Sequence, residues 1–118
     1  MGYYTKFDLD VETGKHTISE IAKAIYEDKD TFYGLTEPDV TMLNDYSSGG
    51  FFLRYSDEVK WYTEPTDMKK FSKKFPDAIF IVSGYGEERN DVWEHRYKNG
   101  KMEERHQIFK WSKWEDCV

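Results

Sequence analysis

The dipeptide Asn99-Gly100 constrains the fold of this chain more than any other feature. Asn-Gly is the preferred pair for a two-residue type I′ turn, because both central positions need positive φ. The flanking stretches "DVWEHRYK" and "KMEERHQIF" alternate as half-buried strands do. The turn therefore predicts a hairpin in which Lys98 faces Lys101 and every earlier residue faces its later counterpart. Glu94 then faces Arg105 and Arg96 faces Glu103, complementary charge pairs on one solvated face. The other face carries Trp93, His95, Tyr97, Met102, Glu104, His106 and Ile108. His95 lies opposite Glu104 there, and His106 opposite Trp93.

Two readings of that second face stay open. Two histidines and a carboxylate resemble the ligand set of non-haem iron sites and would also suit acid–base work, with His95, Tyr97, Glu104 and His106 lining the pocket. Alternatively, Trp93, Tyr97, Met102 and Ile108 belong to the core, with the His95–Glu104 pair hydrogen-bonded at its margin. No helical His-x-x-x-His or paired-acid motif reinforces a site, which favours the core reading; no metal or other cofactor is expected. The preceding "GYGEERND" begins like a phosphate loop, but Glu87 and Glu88 follow at once and a strand comes next. Phosphate cradling uses amides at a helix N-terminus, so an exposed acidic turn is expected instead.

Upstream, Tyr3, Thr5, Phe7, Leu9 and Val11 alternate with polar residues and predict a first strand. Thr17 and Glu20 form a capping-box pattern, and Ile18, Ile21, Ala22, Ile25 and Tyr26 draw one apolar stripe along the helix that follows. Residues 28–50 lose this periodicity and predict a long surface connection with one short strand near 40–43. "FFLRY" and "VKWYT" predict a hairpin. In "TEPTDMKKFSKKFP", Met68, Phe71, Ser72 and Phe75 share a helical face, with Pro76 as the stop. "AIFIVSGYG" is a near-continuous apolar run, as a central strand requires. The order strand, helix, two strands, helix, strand, plus a hairpin, predicts an α+β fold. It is expected to be a ferredoxin-like antiparallel sheet with both helices on one face and an added C-terminal β-hairpin. No repeat or linker divides residues 1–118, so a single domain is expected.

Charge narrows the partners. The 23 acids and 17 basic residues leave a net charge of -6. Residues 1–65 carry 13 acids against 6 basic groups, whereas residues 66–118 are nearly balanced. Direct nucleic-acid binding is not expected of such a chain, since phosphate contact relies on clustered Lys and Arg; a protein with a basic surface suits it better. No apolar run approaches the length of a bilayer span, and the lone Cys117 can close no internal disulfide. A cytoplasmic location without membrane contact is the expectation. Aromatic residues make up 18% of the chain, more than a core of this size needs, so some rings should be free to anchor a partner. Candidates are Phe51, Phe52, Tyr55, Phe109, Trp111 and Trp114, with Glu87 and Glu88 as acidic steering groups.

The run Asp67-Met68, Phe71-Ser72-Lys73, Phe75-Pro76-Asp77, Gly84, Gly86-Glu87-Glu88, Asp91, Trp93, Lys98-Asn99-Gly100-Lys101 resembles one that recurs in small accessory proteins of bacteriophages and other mobile elements. The resemblance covers about half the chain, residues 61–102. It implies a ferredoxin-like fold and action by binding and blocking a host protein in the host cytoplasm, anti-defence inhibition of the anti-CRISPR kind included, and it implies no particular enzymatic activity. The first 50 residues carry no such resemblance, so the target stays unspecified. The competing expectations are a small-ligand or nucleotide-signal binding protein or enzyme using the His95/Glu104/His106 face, and a structural subunit of a particle or homo-oligomer.

Overall fold

The computed structural model describes residues 4–28, 31–32, 50–54, 61–88, 91–108 and 110–117, with the backbone alone for 51–54. Its strands are β1 (Lys6–Glu12), β2 (Gly50–Arg54), β3 (Ile79–Tyr85), β4 (Val92–Lys98) and β5 (Lys101–His106); its helices are α1 (Ile18–Glu27) and α2 (Glu64–Ser72). They form a five-stranded sheet in the order β2-β1-β3-β4-β5, antiparallel at every junction. The apolar run at β3 lies in the middle strand, as its composition requires.

Each element follows from local chemistry. Thr17 caps α1, its hydroxyl accepting from the Glu20 amide at 3.1 Å, and the apolar stripe buries Ile21, Ala22 and Ile25. Pro65 sits in the first turn of α2, where its missing N–H leaves no intrahelical bond unmade. Asn99 and Gly100 take φ of 48° and 82°, the left-handed pair that a type I′ turn demands. The predicted hairpin register holds throughout: Glu94 pairs with Arg105, His95 with Glu104, Arg96 with Glu103 and Trp93 with His106.

One sheet face holds the core. Phe7, Leu9 and Val11 of β1 are buried with Phe80 and Val82 of β3 and Tyr97 of β4. Ile21, Ala22 and Ile25 of α1 and Met68 and Phe71 of α2 join the same cluster, so both helices cover this face. The rows run straight across the strands: Leu9, Val82, His95 and Glu104 in one, Phe7, Gly84, Trp93 and His106 in the next. The opposite face carries Asp10, Ile81, Arg96 and Glu103 in one row and Asp8, Ser83, Glu94 and Arg105 in another. Arg96 Nε donates to Glu103 Oε1 at 2.8 Å and Arg105 Nε to Glu94 Oε1 at 2.6 Å, the two predicted charge pairs.

The fold is α+β with an antiparallel sheet and two helices, but it is not the ferredoxin-like order. Between the helices the described strands number one, β2, which lies beside β1 and antiparallel to it. β2 and β3 flank β1 from either side, so α2 connects two parallel strands across an intervening third. The "VKWYT" strand fails because its second half leads into α2. Trp61 Nε1 donates to Asp67 at 2.8 Å, Thr63 Oγ1 donates to the same carboxylate oxygen at 2.7 Å, and the Trp61 ring packs edge-on against Phe7 and Phe32. These contacts fasten the segment to the helix start instead of to a sheet edge. Most of the long connection (residues 29–30 and 33–49), its short strand near 40–43 and the start of "VKWYT" lie outside the described residues. One burial expectation also changes. Ile108, expected in the core, is 87% exposed, because β5 ends at His106 and the chain leaves the sheet after Gln107 N donates to Val92 O. Among the described residues no helix is long and apolar enough to cross a membrane.

Candidate functional site

The predicted histidine face becomes a chain of charged hydrogen bonds whose central acceptor, Glu64, comes from a helix. His95 on β4 points into the core side of the sheet. Its Nδ1 lies 2.6 Å from Glu64 Oε1, at the first turn of α2, and its Nε2 lies 2.6 Å from Glu104 Oε2 on β5. The other oxygen of Glu64 accepts from the Tyr97 hydroxyl, and the other oxygen of Glu104 faces His106 Nε2 at 3.3 Å. The Trp93 ring stacks on His95 with centroids 4.2 Å apart. Glu64, His95 and Tyr97 are buried, whereas the Glu104 and His106 side chains are 46% and 65% exposed. The network thus runs from the core outward to the surface.

Both ring nitrogens of His95 face carboxylate oxygens, and only the imidazolium can donate from both. Burial by itself would lower the His95 pKa, but the hydrogen bonds and charges of Glu64 and then Glu104 outweigh it and raise it. The His95 hydrogen bond holds the Glu104 carboxyl below its usual value, with His106 adding to the effect. Burial first, and Glu64 second, raise the Tyr97 phenol, which stays a donor at any ordinary pH.

The consequence for chemistry is direct. With both ring nitrogens engaged by Glu64 and Glu104, His95 has no free nitrogen to offer a substrate, and the pair of bonds ties α2 to β5. Among the described residues no three His, Cys, Asp or Glu side chains converge to hold a metal ion. Of the four residues predicted for this face, His95 is joined to Tyr97 through Glu64, Glu104 bonds His95 directly, and His106 lies at the outer end. Glu64 carried a signal in the sequence. It precedes Met68 by one helical turn and so falls on the apolar stripe of α2, where an acid has to find a buried partner.

A second bond locks the hairpin tip to the same helix. Ser72, fully buried at the end of α2, accepts from the Gly100 amide at 2.8 Å while donating to Lys69 O at 3.0 Å.

The predicted anchors separate into two sets. Trp111 and Trp114 are 98% and 104% exposed in the extended segment that leaves β5, and Glu87 and Glu88 are exposed in the β3–β4 turn. The backbones of Phe51 and Phe52 lie in β2, but their side chains, and Tyr55 and Phe109 entirely, lie outside the described residues. On the open sheet face burial raises the Asp10 pKa, with Glu12, Glu94 and Asp8 adding like charge. No protein-family model, curated protein or solved structure matches the chain.

Proposed function

We propose that this chain is a non-catalytic accessory protein of the bacteriophage type that acts by binding a host protein, as an anti-defence inhibitor. The observation that carries the reading is the pair Trp111 and Trp114, fully exposed on a segment whose backbone pairs with no strand among the described residues. Large rings held in water are unfavourable unless a partner covers them, and Trp is the commonest interface anchor. The acidic residues Asp10 and Glu12, exposed on β1, would steer the protein toward a basic surface such as that of a nucleic-acid-binding enzyme. The small-ligand reading is less well supported, because His95 spends both ring nitrogens on internal carboxylates.

The test is capture of partners from host lysate by the intact protein, followed by titration of the captured protein with variants. Trp111→Ala and Trp114→Ala should each weaken binding by about 2 kcal/mol or more, with the melting temperature unchanged. Replacing His95 and His106 together with Gln should leave that binding intact. Loss of binding in the histidine variant with the fold retained, and none in the tryptophan variants, would overturn the assignment and favour the ligand site.

A further inference from the structure

The sheet ends at β5, and the outer edge of that strand is built to receive a particular strand. Lys98 and Lys101 flank a two-residue turn and Gln107 N bonds Val92 O at 3.0 Å, so the odd-numbered residues of β5 exchange backbone bonds with β4. The N–H and C=O groups of Met102, Glu104 and His106 consequently point away from the sheet, and no described strand lies beyond them. Charged side chains usually protect such an edge from other chains. Here their order makes the edge self-complementary. On the open face β5 presents Lys101, Glu103 and Arg105, with signs plus, minus, plus.

We propose that a second copy of this chain docks antiparallel on β5, with the two-fold axis passing through Glu104, so that the two sheets become one. In this register Glu103 of each copy faces Arg105 of the other. Across the junction the open-face row then reads Glu94, Arg105, Glu103 of the second copy and Arg96 of the second copy, alternating in sign. The outward backbone groups of Met102 meet those of His106 on the second copy, and Glu104 meets Glu104, each carboxylate already held by its own His95 and His106. Centring the pair on Glu103 instead would oppose Glu103 to itself and Lys101 to Arg105. Centring it on Met102 would run the strands into the Asn99-Gly100 turn. The inference is independent of the host-protein reading, since it uses none of the tryptophans.

The experiment measures the mass of the full chain in solution by light scattering against concentration, under reducing conditions because Cys117 is exposed. The expected species is twice 14.1 kDa. Glu103→Arg and Arg105→Glu alter side chains that are 70% and 81% exposed, so both should fold; each should weaken dimerisation more than about tenfold through like-charge contact. An equimolar mixture of the two variants restores opposite charges at both contacts and should recover the dimer. Amide exchange in the unaltered protein gives a second readout: the Glu104 amide should gain protection as concentration rises. A monomer at every concentration up to the solubility limit overturns the proposal. So does a dimer that survives either single variant, one that the mixture does not restore, or one whose Glu104 amide exchanges freely.

Discussion

Replacing His95 with Leu isolates what the buried charge chain contributes. Leucine is close to histidine in volume and can still pack on Trp93, so the change removes charge and hydrogen bonds more than it removes contacts. The Glu64 side chain, 2% exposed, is left with the Tyr97 hydroxyl but without a counter-charge, while Glu104 at 46% can turn to solvent. Stranding a buried charge by deleting its partner costs about 3–5 kcal/mol, against a total of roughly 5–15 kcal/mol for a domain. Urea unfolding at neutral pH, read by circular dichroism, should therefore show the midpoint displaced by a large fraction of its wild-type value with the slope unchanged. Removing Glu64 as well, in Glu64→Leu/His95→Leu, should recover much of that loss. The remaining deficit should be about 1–3 kcal/mol for the unpaired Tyr97 hydroxyl. A loss below about 1 kcal/mol for His95→Leu, or a double variant less stable than the single one, would refute the assignment of a charged, buried Glu64–His95 pair.

Further outcomes follow from neighbouring features. The His95 pKa is raised on folding, so its contribution to stability should be complete below the ordinary histidine value and lost as pH rises through the folded one; His95→Gln should flatten that alkaline limb in pH-resolved unfolding. Glu104 is shifted the other way, and its contribution, present above the ordinary carboxyl range, should disappear as pH falls through the lowered value; Glu104→Gln should remove that acid limb in the same measurement. In Gly84→Ala the new methyl would lie 2.2 Å from the Trp93 ring, forcing it off its stack on His95. A destabilisation of about 1–3 kcal/mol with a shifted tryptophan emission is expected, and unchanged emission would contradict the packing. Ser72→Ala should cost about 1–3 kcal/mol by orphaning the Gly100 amide, with faster hydrogen exchange at that amide as its marker.

The parts of this protein that the sequence determined alone are those written in neighbouring residues. Asn99-Gly100 sets the hairpin register because a positive φ at two adjacent positions is a local requirement, and it carried the Glu94–Arg105, Arg96–Glu103 and His95–Glu104 pairings with it. Thr17 and the stripe of α1, the alternation of β1 and the apolar run of β3 are legible for the same reason. Strand order is not written locally. The placement of β2 beside β1, with α2 crossing back to β3, depends on how the helices settle on a shared core, and Trp61, in a stretch with the composition of a strand, is claimed by Asp67 and Phe7. The site shows the same division. His95 and Glu104 were paired by register, but the partner that favours the charged imidazole and helps to bury it, Glu64, comes from a helix 31 residues away. Only packing α2 against β4 brings that carboxylate into the core, where low polarity turns a surface pair into a buried ion chain.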